Sequence, residues 1–72
     1  MLIFNVYGRF IGVKRDSGRW LLFRVEINER KFSRNYDLAI PDELTENELI
    51  GWLGDMYHEA ATERNPKVTR VE

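Results

Sequence analysis

The first candidates for chemistry in this chain are few. His58 is the single histidine of 72 residues that include no cysteine. A zinc-protease helix needs a second imidazole four residues after the first, and Thr62 stands there, so His58-Glu59 founds no such centre. Without cysteine, disulfides, thiolate zinc sites and cysteine nucleophiles all fall away. Asp55 and Glu59 offer two carboxylates on one helix face, which suits a solvated acidic flank better than a cation. Ser17, Ser33, Thr45, Thr62 and Thr69 have no base assigned to activate them. Gly8-Arg9-Phe10-Ile11-Gly12 lacks the length and the Lys-Ser/Thr of a phosphate loop. Gly51-Trp52-Leu53-Gly54 has the letters of a KH-type clamp, but it falls inside a helix with apolar residues between the glycines. Asp37 and Asp42 flank Leu38-Ala39-Ile40-Pro41 and suit a turn better than acid–base work. The expectation is a non-enzymatic protein with no metal and no cofactor.

Length sets the same limit. Seventy-two residues form one domain, 1–72, in which a chain buries only about 60% of its unfolded surface. Hydrophobic residues at 43% argue for a globular chain. The N-terminal Met1-Leu2-Ile3-Phe4-Asn5-Val6-Tyr7 has no basic start and meets Arg9 too soon for a signal peptide. No apolar run approaches the roughly 20 residues of a membrane span, so the expected compartment is the cytoplasm.

The elements that must position any site read as follows. Residues 2–15 are extended, with Gly8 and Gly12 marking a bulge or bend. Asp16-Ser17-Gly18 is a turn, and residues 20–27 form the clearest strand. In that strand Leu21, Phe23, Val25 and Ile27 make one apolar face, expected to meet the helix, while Trp20, Leu22 and Arg24 point outward. Asn28-Glu29 suits a hairpin, and Phe32, Tyr36, Leu38 and Ile40 a third strand stopped by Pro41. Thr45 and Glu48 form a capping box, with Leu44 and Leu49 as a hydrophobic staple. Leu49, Leu53, Met56, Tyr57 and Ala60 then follow at helical spacing over 46–64, before Asn65-Pro66 ends the helix. The expected fold is α+β: a bent antiparallel three-stranded meander with one long C-terminal helix packed across one face, to which Val68 and Val71 can add a short fourth strand.

The net charge of −1 conceals a division. Residues 1–36 carry eight basic and three acidic side chains, residues 37–63 no basic and eight acidic, and residues 64–72 three basic and one acidic. The strands are basic and the helical region acidic, which suits attraction within the monomer. The alternative is a nucleic-acid or polyanion surface on the sheet, where Arg15, Arg19 and Arg24 accompany Trp20 and Leu22. On the helix, Gly51 and Gly54 each cost about 1 kcal/mol relative to Ala, and with Trp52 on the other flank they suit close approach of a second helix. The leading expectation is a protein-interaction module that pairs with itself or another protein, through the bare sheet face or the Gly51/Gly54 flank.

Tyr7-Gly8-Arg9 after a short strand, Gly18-Arg19-Trp20 at a hairpin, Asp37-Leu38-Ala39-Ile40-Pro41 and Tyr57-His58-Glu59-Ala60-Ala61 together resemble a family of short bacterial proteins, a domain of unknown function, over nearly the whole chain. The resemblance implies a bacterial single-domain protein and carries over no catalytic or binding residue.

Overall fold

The computed structural model describes residues 1–61 and 67–72. Five strands form one antiparallel sheet: β1 (Leu2–Val6), β2 (Arg9–Asp16), β3 (Arg19–Glu26), β4 (Lys31–Arg34) and β5 (Val68–Arg70), in the spatial order β4-β3-β2-β1-β5. One α-helix, α1 (Leu49–Met56), lies between β4 and β5 in the chain, with 3₁₀ turns at Glu46–Glu48 and His58–Ala60. The α+β class holds, with five strands in place of three and a shorter helix. No helix among the described residues is long and apolar enough to cross a membrane.

The extended run 2–15 is two strands, because the chain reverses at Tyr7-Gly8. Both residues adopt positive φ (53° and 93°), and the Asn5 Oδ1 accepts the Gly8 backbone N–H at 2.8 Å. Two positive φ angles in a two-residue loop match the right-handed twist of the strands they join. Ser17 and Gly18 repeat the device (50° and 78°) between β2 and β3. Between β3 and β4 the loop is four residues long, with Arg30 at φ 55°.

These tight turns fix the register and therefore the faces. Leu2 pairs with Val13 and Val13 with Leu22, so Phe4, Val6, Ile11, Val13 and Leu22 share the helix side. They are buried with Ile40 from the 35–44 linker and Leu49 and Leu53 from α1. Burial of each such side chain contributes about 1.5–3 kcal/mol. The orientation expected for the central strand is thus reversed: Leu22 is 2% exposed beneath the helix layer, and Leu21, Phe23 and Val25 face the other way. Alternation favoured the parity of Leu21, Phe23 and Val25, since Trp20 and Leu22 share theirs with Arg24 and Glu26, but the turns set the register and put Leu22 inside.

At the helix start the capping box is present. The Glu48 carboxylate accepts the Thr45 backbone N–H at 2.9 Å and the Thr45 hydroxyl at 3.0 Å. The helix expected to reach residue 64 stops at Met56 instead. Tyr57 leaves helical geometry (φ −112°, ψ 13°), and Ala61 is already extended. Beyond Leu53, Met56 is left exposed and Tyr57 half-buried, and the chain must return to place β5 beside β1. The expected Thr62–Arg64 portion and the Asn65-Pro66 stop lie outside the described residues. Val68–Arg70 forms the closing strand, while Val71 follows it and donates its N–H to the Ile3 carbonyl at 2.7 Å.

Candidate functional site

The residues singled out from sequence fall into three places. Trp20 is half-buried on the helix side, and its indole N–H donates to the Leu44 carbonyl at 2.8 Å. The Arg15 guanidinium lies 4.5 Å from the Trp20 ring centroid and donates to the Asp42 carbonyl at 2.9 Å. The pair therefore works as a strut that pins the linker to the sheet, and neither Trp20 nor Leu22 is presented outward. Arg19 lines a shallow groove of about 330 Å³ beside Tyr36 and Asp42. On the helix, the Gly54 carbonyl accepts the Tyr7 hydroxyl at 3.2 Å, and a Cβ there would meet Tyr7 Oη at 3.4 Å and Val68 Cγ2 at 3.7 Å. The close approach at Gly54 is thus made within the chain, by the hairpin turn and β5. Gly51 faces open space, and Trp52 packs half-buried against the core. His58 is exposed, its Nδ1 2.9 Å from the Asp55 carbonyl. Among the described residues no group of three or more metal-ligating side chains converges.

The face of the sheet without the helix is the apolar surface that remains. By register, Phe10 of β2, Leu21, Phe23 and Val25 of β3, and Phe32 of β4 share it with Ile3 of β1. Phe32 is 41% exposed, and Met1 and Val71 are exposed at its far side. Gly12 lies in the middle, where a Cβ would stand 2.6 Å from Met1 Sδ and 3.0 Å from Val25 Cγ2. Its missing side chain lets the Met1 side chain fold down over the sheet.

On the other face, α1 packs over β1 and β5, and the linker covers the far end of β3. Between them opens a cleft of about 610 Å³. Its floor is Arg9, Ile11, Arg24 and Glu26, which the register puts on the helix side of β2 and β3. Its walls are Tyr57, at the end of the helix, and Asn35, Asp37 and Leu38 of the linker. The Asn35 backbone N–H bonds the Leu22 carbonyl at 2.8 Å, and its Oδ1 accepts the Asp37 N–H at 2.9 Å, so this wall is held in shape. Burial pushes the Tyr57 phenol up from its ordinary value, the Asp37 carboxylate adds to the rise, and Arg9, the Asn35 amide and Arg24 oppose it. The phenol is therefore a proton-bearing donor at neutral pH. Among the described residues, none of the four charges lining the cleft forms an ion pair within 4.0 Å.

Only Arg24 of this cleft was a site candidate in the sequence. Arg9, Glu26, Asn35, Asp37 and Tyr57 come from four separate segments, and no local spacing connects them. Arg34 adds a last feature: its guanidinium stands 4.8 Å over the Tyr36 ring, which is 80% exposed.

A family model described as a domain of unknown function (DUF7661) matches residues 1–72, and the chain belongs to that family. No curated protein and no solved structure matches it.

Proposed function

We propose that this member of the family is a small non-enzymatic interaction module that pairs with a second copy of itself through the helix-free face of its sheet. The observation that carries the reading is the apolar set of half-buried Phe10, Leu21 and Phe23 with exposed Phe32 on the helix-free face of the sheet. The strands hold 5, 8, 8, 4 and 3 residues, and at about 3.3 Å along and 4.8 Å across per residue they give a face of about 440 Å². Burying it on both copies removes about 900 Å², the size of a weak, transient interface. A two-fold pairing places the same patch on both sides. Lys14, Asp16, Arg19 and Arg34 stand at its rim, both signs of charge with the cations in excess.

Sedimentation velocity at micromolar concentration tests this. The native chain is expected to sediment as a dimer and Phe32→Asp as a monomer with an unchanged far-ultraviolet spectrum. A native chain that stays strictly monomeric overturns the proposal.

A second reading, polyanion binding, is favoured by the exposed Arg34–Tyr36 stack beside Arg19. Arg15 and Trp20 are engaged with the linker, so the surface is narrower than the strand pattern suggests. Single-stranded RNA at low salt should then shift the Arg19 and Tyr36 amides, with affinity falling as salt rises. Absence of shifts at low salt ends this reading.

A further inference from the structure

The cleft under Tyr57 lies on the opposite side of the sheet from the proposed pairing face, and it has the make-up of a ligand site. Its volume of about 610 Å³ is in the range of small-molecule pockets. The apolar surface within it, Ile11 and Leu38 with the Tyr57 ring, is enough for one small aliphatic group.

Charge narrows the ligand further. Two guanidiniums, Arg9 and Arg24, share the cleft with two carboxylates, Glu26 and Asp37. An inorganic dianion would meet the guanidiniums but would be repelled by the carboxylates. A simple cation would face the reverse. A small molecule with one charge of each sign satisfies both sets and leaves the occupied cleft neutral. The Tyr57 hydroxyl and Asn35 amide add a donor and an amide group able to donate or accept beside the charges.

We infer that the cleft binds a small zwitterion of the α-amino-acid class, its carboxylate toward Arg9 and Arg24, its ammonium toward Glu26 and Asp37, and an aliphatic side chain against Ile11 and Leu38. Charge-assisted hydrogen bonds at both poles supply the affinity, and guanidinium forks favour a carboxylate in particular. The exposed mouth keeps the charges partly hydrated, so binding is weak and selective rather than tight.

The test is an amide-shift titration of the full chain with L-leucine, N-acetyl-L-leucine, L-leucinamide and inorganic phosphate. L-leucine is expected to give saturating shifts at Gly8, Arg9, Arg24, Asn35 and Leu38. N-acetyl-L-leucine keeps only the negative charge and L-leucinamide only the positive one, and each should bind about tenfold more weakly. Arg24→Gln should lose about tenfold for L-leucine while keeping a dispersed, native spectrum. Asp37→Asn should lose affinity for L-leucine but not for N-acetyl-L-leucine, which separates a direct role from a change in fold. No saturating shift with L-leucine at tens of millimolar overturns the proposal. So does equal or tighter binding of phosphate or of N-acetyl-L-leucine, which would make the cleft a simple anion site. Because pairing uses the other face, Phe32→Asp should titrate with L-leucine as the native chain does.

Discussion

Trp20→Phe isolates the strut between linker and sheet. Three losses follow from the geometry. The indole N–H to Leu44 carbonyl bond of 2.8 Å disappears, at about 1 kcal/mol net. The Arg15 guanidinium, 4.5 Å from the indole centroid, exchanges a strong aromatic partner for a weaker one, at about 0.5 kcal/mol. The smaller ring also leaves apolar surface unfilled beside the core, another 0.5 kcal/mol or about that. The sum is about 2 kcal/mol, against a total stability of about 4–11 kcal/mol for a domain of this length. For a domain this small that corresponds to a fall in Tm of about 8–16 °C. Urea unfolding is the assay, with Trp52 as the remaining fluorophore, at one fixed protein concentration because self-association would add to apparent stability. Arg15→Met completes a double-mutant cycle, whose coupling with Trp20→Phe should be about 0.5–1 kcal/mol. A loss below about 0.5 kcal/mol together with zero coupling would falsify the strut.

Gly51→Ala meets open space in an exposed helix interior, so it should stabilise the chain by about 0.5–1 kcal/mol and leave the sedimentation behaviour unchanged. Weakened association in that variant would move the pairing surface from the sheet to the helix flank. The Thr45 backbone N–H, and after it the Thr45 hydroxyl, hold the Glu48 carboxyl below its ordinary value of 4.5. A folded-state value below the unfolded one means that Glu48 contributes stability above about pH 4.5, lost as pH falls through the lowered value. Thermal melts of Glu48→Gln should therefore show a shallower fall than the native chain between pH 5 and 3, and parallel curves would refute the assignment.

Local chemistry was legible wherever a few adjacent residues decide a conformation. Ser17-Gly18 turns as its residue types require, and Thr45 with Glu48 starts the helical region as the capping pattern demands. Leu49 and Leu53, at helical spacing, are fully buried. Tyr7-Gly8 went unread as a hairpin because tyrosine rarely occupies positive φ. Its hydroxyl bond to the Gly54 carbonyl, 47 residues away, helps hold it there. The helix end was misplaced because Ala60 prolongs the apolar spacing past Tyr57, where the backbone leaves helical geometry. The cleft was illegible for a stronger reason. Arg9 and Arg24 look like two more strand cations until register puts both on the helix side, and Tyr57 looks like core until the helix ends just before it.

The sheet order has a consequence for folding. β1 is an interior strand, and its outer neighbour is β5, with Phe4 opposite Arg70 and Ile3 donating to the Glu72 carbonyl at 3.1 Å. The Arg30–Glu72 ion pair at 3.0 Å ties the same stretch to the loop after β3. The β1–β2–β3 hairpins can form early, yet the first strand keeps one open edge until Val68–Arg70 is available to pair with it. That edge is covered only by a pairing across more than sixty residues of chain, so it is the slow, late step in completing the sheet.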